Sequence, residues 1–294
     1  MSSFHLAGIV PVAGQPLDFK MDWHDSLMPV APDYTAIERA VFECAWAGCE
    51  TIWIVANDDV SPLIRYRIGE WIHDPVWIGR RLDPYPSQTR KQIPIYYVPL
   101  RAKDVGKRDC LAWSVLHGAV TAFEVSARLS KWIIPKRNYV AFPYGVYDPE
   151  ILREHRTDIS LDKSFMLSYN GKTVQDGEYL GFTFGKEDFV NCRREVRKGT
   201  GQYNSEVLED GLYPRDKLPK EERYSARYFS LDKIFKPVII DKENKVEVPW
   251  YHNIDSWDRY SNYLGSEERK LVRRPPSIFM KYHEWNEIGV DDGD

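Results

Sequence analysis

HLAGIVPVAG, residues 5–14, and TIWIVA, residues 51–56, decide the fold class. Each begins with a short apolar run that does not alternate polar with apolar, so each reads as a strand covered on both faces. Between them, Thr35-Ala-Ile-Glu38 has the spacing of a capping box, in which a hydroxyl and a carboxylate satisfy backbone donors at a helix start. Behind it Ile37, Ala40, Val41, Cys44 and Ala45 recur at helical spacing until Gly48 supplies a stop. The unit is strand, helix, strand.

The alternation continues. Ser61-Pro62 opens a helix expected to run through Ile72, and IPIYYVPL (93–100) is the next strand. A long helix is expected over 107–129, with Leu111, Val115, Leu116, Ala119, Ala122 and Phe123 as its apolar stripe. NYVAFPY (138–144) follows as a fourth strand, and Asp148-Pro149-Glu150 caps a short helix. This order implies an α/β fold, a mostly parallel central sheet with helices on both faces. The second half differs: short strands are expected over 164–169, 179–184 and 238–240, with turns at Asn170-Gly171 and Asp176-Gly177. The charged stretch 193–227, which includes Gly199-Thr-Gly201, reads as a solvated loop or helical insertion. The division is an α/β half over 1–160, a smaller β-rich and charged part over 161–265, and a tail over 266–294 that frays at its end, all in one integrated domain.

A hydrophobic fraction of 43% over 294 residues suffices for a sizeable core and excludes wholesale disorder. With 40 basic and 44 acidic residues the net charge is −4, which provides no global field for nucleic acid or an anionic membrane. The four cysteines form no C-x-x-C pair, so neither a disulfide scaffold nor a structural zinc site is expected. The opening residues show no basic segment followed by a long apolar run, and no run of ~18 apolar residues occurs, so neither secretion nor membrane spanning is expected. A cytoplasmic protein in a reducing compartment is the expectation. No G-x-S-x-G or H-E-x-x-H motif occurs.

In open α/β sheets, ligands sit beyond the carboxyl ends of the strands. There the first strand leads into Ala13-Gly14-Gln15-Pro16, where a glycine lets backbone N–H groups approach a phosphate, with Lys20 following in the same loop. An ordinary Gly-Pro loop has the same sequence. Lys103, Gly106, Lys107 and Arg108 precede the long helix and suit phosphates; a charged surface helix start is the alternative. Asp148, at a strand end, offers a hard oxygen ligand or a helix cap.

Taken together, Ile9-Val-Pro-Val-Ala-Gly14, Ser26-Leu-Met-Pro-Val30, the capped helix, Ala47-Gly48 and the 51–55 strand resemble the opening of the GT-A-like nucleotidyltransferases, which include sugar-phosphate nucleotidylyltransferases and cytidylyltransferases. Trp250-Tyr-His252-Asn-Ile-Asp255-Ser-Trp257-Asp258 resembles that family's late W-x-D-I-x-T-x-E/D segment. The resemblance implies a nucleoside triphosphate or nucleotide sugar seated by Ala13, Gly14 and Gln15 and by Lys103, Gly106 and Arg108. It implies Lys20, His24 and Lys107 in catalytic roles, and Mg²⁺ held by Asp148 and Asp255. The implied reaction is attack of a sugar phosphate on the α-phosphorus with release of pyrophosphate. The sequence also departs from the family. No arginine stands in the glycine loop, and Asp25, beside His24, stands where the family has a lysine. An acid there opposes binding of a triphosphate. A glycosyltransferase using a nucleotide sugar needs neither missing cation, and a silent binding or assembly protein is the third reading.

Overall fold

A computed structural model describes residues 5–14, 17, 19, 21, 23–78, 92–161, 163–201, 203, 217–220, 222–239 and 241–275. The first apolar run forms β1 (Leu6–Pro11), followed by the small β2 (Pro29–Ala31) and β3 (Tyr34–Thr35). Helix α1 (Ala36–Trp46) starts on the expected capping box: Glu38 N–H donates to Thr35 Oγ1 at 3.4 Å and Thr35 N–H to Glu38 Oε2 at 2.9 Å. Then come β4 (Thr51–Val55), α2 (Ser61–Ile68), β5 (Trp71–His73), α3 (Pro75–Ile78), β6 (Gln92–Val98), α4 (Leu111–Leu129), β7 (Arg137–Val140) and β8 (Gly145–Val146). The second half adds α5 (Arg156–Ile159), β9 (Met166–Ser168), β10 (Phe182–Phe184), α6 (Lys186–Lys198), α7 (Leu231–Phe235), β11 (Lys245–Glu247), β12 (His252–Asn253) and α8 (Trp257–Leu264).

Among the described residues one eight-stranded sheet has the order β11-β9-β10-β7-β1-β4-β6-β5. Its centre, β7-β1-β4-β6, is parallel, whereas β10 runs antiparallel to β7 and β5 antiparallel to β6. The apolar runs lack alternation because both faces are covered. Leu6 and Val10 of β1 pack into one core with Ile37, Val41 and Cys44 of α1. Ala7 and Ile9 face the other, with Val115 and Ala119 of α4 and Phe235 of α7. Gly8 marks the closest approach of α1: a Cβ there would lie 2.7 Å from Cys44 Sγ.

Several expectations needed correction. The helix from Ser61 stops at Ile68 because Gly69 turns at φ 88°, and Ile72 belongs to a strand. The long helix starts at Leu111, with Cys110 as its N-cap, so Lys107 and Arg108 lie in the preceding turn, where Gly106 has φ 72°. Of the 193–227 stretch, residues up to 198 belong to α6, whose apolar contacts are made by Phe189, Cys192 and Val196. Val238 and Ile239 are not in a strand, Ile240 lies outside the described residues, and β11 is the strand that pairs with β9. The 284–294 tail also lies outside them. Among the described residues no helix is long and apolar enough to cross a membrane.

Candidate functional site

The parallel centre of the sheet ends at the loops of Val12–Gly14, Ala56–Asp59 and Ala141–Tyr144, the crevice position expected of an open α/β sheet. Val12 and Ala13 N–H both donate to the Val55 carbonyl, at 2.8 and 2.7 Å, which turns the chain out of β1. Gly14 then comes against the first turn of α4: a Cβ on it would sit 3.3 Å from Leu111 N. Ser114 Oγ of the same helix donates to the Ala13 carbonyl. The glycine thus stands where the positive end of a 19-residue helix dipole meets the end of the central strand, a setting that favours an anion. Gln15 and Lys20 lie outside the described residues.

His24 and Asp25 follow in the same connection. Ser26 N–H donates to His24 Nδ1 at 3.2 Å, and burial holds the imidazole below its ordinary pKa, against the opposing pull of Asp25 and Asp59. Asp25 is buried and accepts from Leu17 N–H at 2.6 Å, which ties the loop back on itself. Burial pushes its carboxyl above the usual range, with the Leu17 bond acting the other way. Asp25 is also close enough to Tyr144 to raise its phenol, although burial is the larger cause. Phe19 packs edge-on to Trp257 and Tyr260 of α8, fixing the far end of the loop.

Asp255 and Asp148 are not brought together. Gly145 pairs with Asn253 and Val146 with His252, antiparallel, and Ile254 N–H donates to the Tyr144 carbonyl at 2.9 Å. In this register Pro143 falls opposite Asp255, whereas Asp148 lies beyond the other end of the ladder. The two acids leave the ladder at opposite ends, whereas a shared Mg²⁺ needs each oxygen within ~2.1 Å. Asp148 is exposed and caps a 3-10 turn over Pro149–Arg153, accepting from Glu150 N–H at 3.0 Å. It borders a hollow of about 360 Å³ with Arg153, Arg273 and Arg274. Asp255 accepts from Arg259 Nη1 at 2.8 Å and faces Tyr179, whose ring lies 5.8 Å from that of Tyr144. The Asp148–Asp255 pair therefore does not fit a common ion. Among the described residues no three His, Cys, Asp or Glu side chains form a metal-holding group.

Of the basic residues before α4, Lys103 and Arg108 line a separate hollow between α4 and α6. Lys107 is exposed in its turn, and its carbonyl accepts from Ala226 N–H at 2.7 Å. Sequence reasoning missed Tyr144 and Tyr179 beside the crevice and Arg259 as the partner of Asp255. Arg259, four residues after Asp255 at a helix start, could have been found from that spacing.

The solved structures carry the same architecture. A protein from Bacillus anthracis assigned as a glucose-1-phosphate thymidylyltransferase superposes with a TM-score of 0.53 at 9% identity, over 92% of this chain and 97% of that one. The fold is a nucleotidyltransferase fold. An apo UDP-glucose pyrophosphorylase matches with a TM-score of 0.50 at 13% identity, over 92% of this chain and 100% of that one. At these identities the likeness concerns the fold. No family model matches the sequence, and no curated protein does.

Proposed function

We propose that this nucleotidyltransferase-fold chain binds a nucleoside triphosphate or nucleotide sugar at Gly14 and transfers a nucleotidyl group to a sugar phosphate. The observation that carries this reading is the seat itself. Gly14 leaves the end of the central strand with no side chain, against the first turn of α4, so a phosphate can meet backbone donors and the helix dipole directly. In the proposed reaction an oxygen of the sugar phosphate attacks the α-phosphorus and pyrophosphate departs. Positioning and charge stabilisation supply most of the rate in such displacements. Lys107 is an exposed cation in the turn before α4, and Lys20 follows in the glycine loop. Because Asp148 and Asp255 do not fit a shared ion, no step is routed through Mg²⁺.

One observation favours the silent-binding reading. Asp25 takes up the Leu17 amide and Asp255 the Arg259 guanidinium, so these two acids are committed to the chain itself. The experiment is a pair of measurements on the full chain: calorimetry with a panel of nucleoside triphosphates and nucleotide sugars, with and without Mg²⁺, and pyrophosphate exchange with sugar 1-phosphates. Binding that Gly14→Val abolishes, together with exchange, supports transfer. Binding without exchange supports the silent reading, and no binding of any nucleotide overturns both.

A further inference from the structure

The groove between α4 and α6 lies outside the crevice and has no part in the reading above. Two adjoining hollows, of about 120 and 230 Å³, share Arg108, Trp113 and Arg193. Arg101 and Lys103 complete the cationic lining of the first, and Arg197 that of the second. Two carboxylates oppose these five cations. Asp104, buried, lies 3.7 Å from Arg108 Nη1, and Glu124 lies 3.5 Å from Arg101 Nη2. Lys103, Arg193 and Arg197 have no carboxylate in ion-pair reach among the described residues, whereas their neighbour Lys198 is paired with Glu195 at 2.7 Å.

The arrangement is organised in ways that a solvated basic face is not. Arg193 and Arg197 are one helical turn apart and border the same hollow, so their like charges repel across the turn. Arg108 is held with its guanidinium carbon 4.8 Å from the centre of the Trp113 ring, a fixed planar donor rather than a mobile one. Trp113 Nε1 is itself buried without a hydrogen-bond partner. Fixed guanidinium forks with surplus positive charge match phosphoryl oxygens. The smaller hollow holds about four waters at ~30 Å³ each, which is the scale of one or two phosphoryl groups.

We infer that this groove is an anion site for a compact ligand bearing two linked phosphoryl groups, held by Arg108, Arg193 and Arg197 with Lys103 at its mouth. The site is distinct from the nucleotide seat, but it rests on the same end of α4: Trp113 belongs to the turn whose Leu111 abuts Gly14.

The test is calorimetry of the full chain with sodium pyrophosphate, without metal, for the wild type, R193Q/R197Q and the control K198Q. The expected result is saturable binding that weakens as salt rises and falls at least tenfold in R193Q/R197Q, with K198Q unchanged. Both substituted arginines are exposed, and an unchanged thermal midpoint verifies the fold. Equal affinity in R193Q/R197Q and the wild type, or no heat with pyrophosphate up to millimolar concentration, overturns the proposal. Binding of a single-stranded RNA oligonucleotide in place of pyrophosphate also overturns it, by making the groove a backbone track.

Discussion

Arg39 Nη2 donates to the Phe142 carbonyl at 2.6 Å, so a side chain from α1 holds the loop that runs from β7 to Tyr144 beside the crevice. Its other terminal nitrogen meets Glu43 Oε2 at 2.9 Å, and both side chains are fully buried. Tyr139 Oη donates to Glu43 Oε1 at 2.9 Å, Tyr147 Oη donates to the same oxygen, and the Arg39 guanidinium lies 4.9 Å from the Tyr147 ring centre. Burial pushes the Glu43 carboxyl up, while Arg39 and the two phenols favour its ionised form.

Arg39→Met leaves the buried Glu43 without a counter-charge, at an expected cost of about 3–5 kcal/mol. The double variant Arg39→Met/Glu43→Leu removes both charges and is expected to be more stable than Arg39→Met alone. Urea unfolding of both variants measures this. A double variant less stable than the single one would show that the phenol bonds to Glu43 outweigh the unpaired charge.

Gly145→Ala tests the closeness of β8 to the segment before β10. A Cβ at position 145 would overlap the Tyr179 carbonyl group, which is backbone and cannot rotate away. Overpacking of this kind costs about 1–3 kcal/mol, and the thermal midpoint should fall by several degrees. An unchanged midpoint would mean that the Tyr179 segment can step aside.

Asp148→Ala is expected to cost about 1 kcal/mol, the loss of a helix cap, and to leave nucleotide affinity unchanged. The relevant measurements are unfolding in denaturant and nucleotide calorimetry on the same sample. Loss of nucleotide binding in a folded Asp148→Ala protein would place this carboxylate in the site after all.

Acid sensitivity should carry the mark of His24. Its imidazole is held below 6.5 in the folded chain, so the unfolded chain binds more protons between the depressed value and 6.5. Stability therefore rises with pH through that window and is fully present above it. The structural reason is burial, which disfavours the charged imidazolium more than Asp25 and Asp59 favour it. Asp25 acts with the opposite sign just above 3.8, where its raised pKa makes stability fall as pH rises. Denaturation midpoints at pH 5 and 7 should differ less in His24→Gln than in the wild type; an equal difference would exclude His24 as the source.

The parallel centre of the sheet was legible because burial on both faces leaves a direct trace in runs such as 51–56, and because Thr35 and Glu38 announce a helix start. The helix α6 was obscured because its buried contacts rest on Phe189, Cys192 and Val196 among ten other residues, most of them charged. The start of α4 was misplaced by four residues because a cysteine makes a weak sequence signal for a cap, although Trp113 N–H does donate to Cys110 Sγ at 3.4 Å. In the crevice, the position of Gly14 could be read, since a glycine after a buried strand has few uses. The separation of Asp148 and Asp255 could not. It follows from which residues of β8 and β12 face each other, and a two-residue ladder carries too little pattern to fix its own register.

The hydroxyls of Tyr260 and Tyr263 donate to the carbonyls of Pro29 and Val30, across 231 and 233 residues of chain. At a ribosomal rate of ~5–20 residues per second, those early carbonyls wait roughly 10–50 s for their donors during synthesis. Until then those two carbonyls lack their hydroxyl partners, so the attachment of α8 to β2 is a late step that no earlier part of the chain can complete.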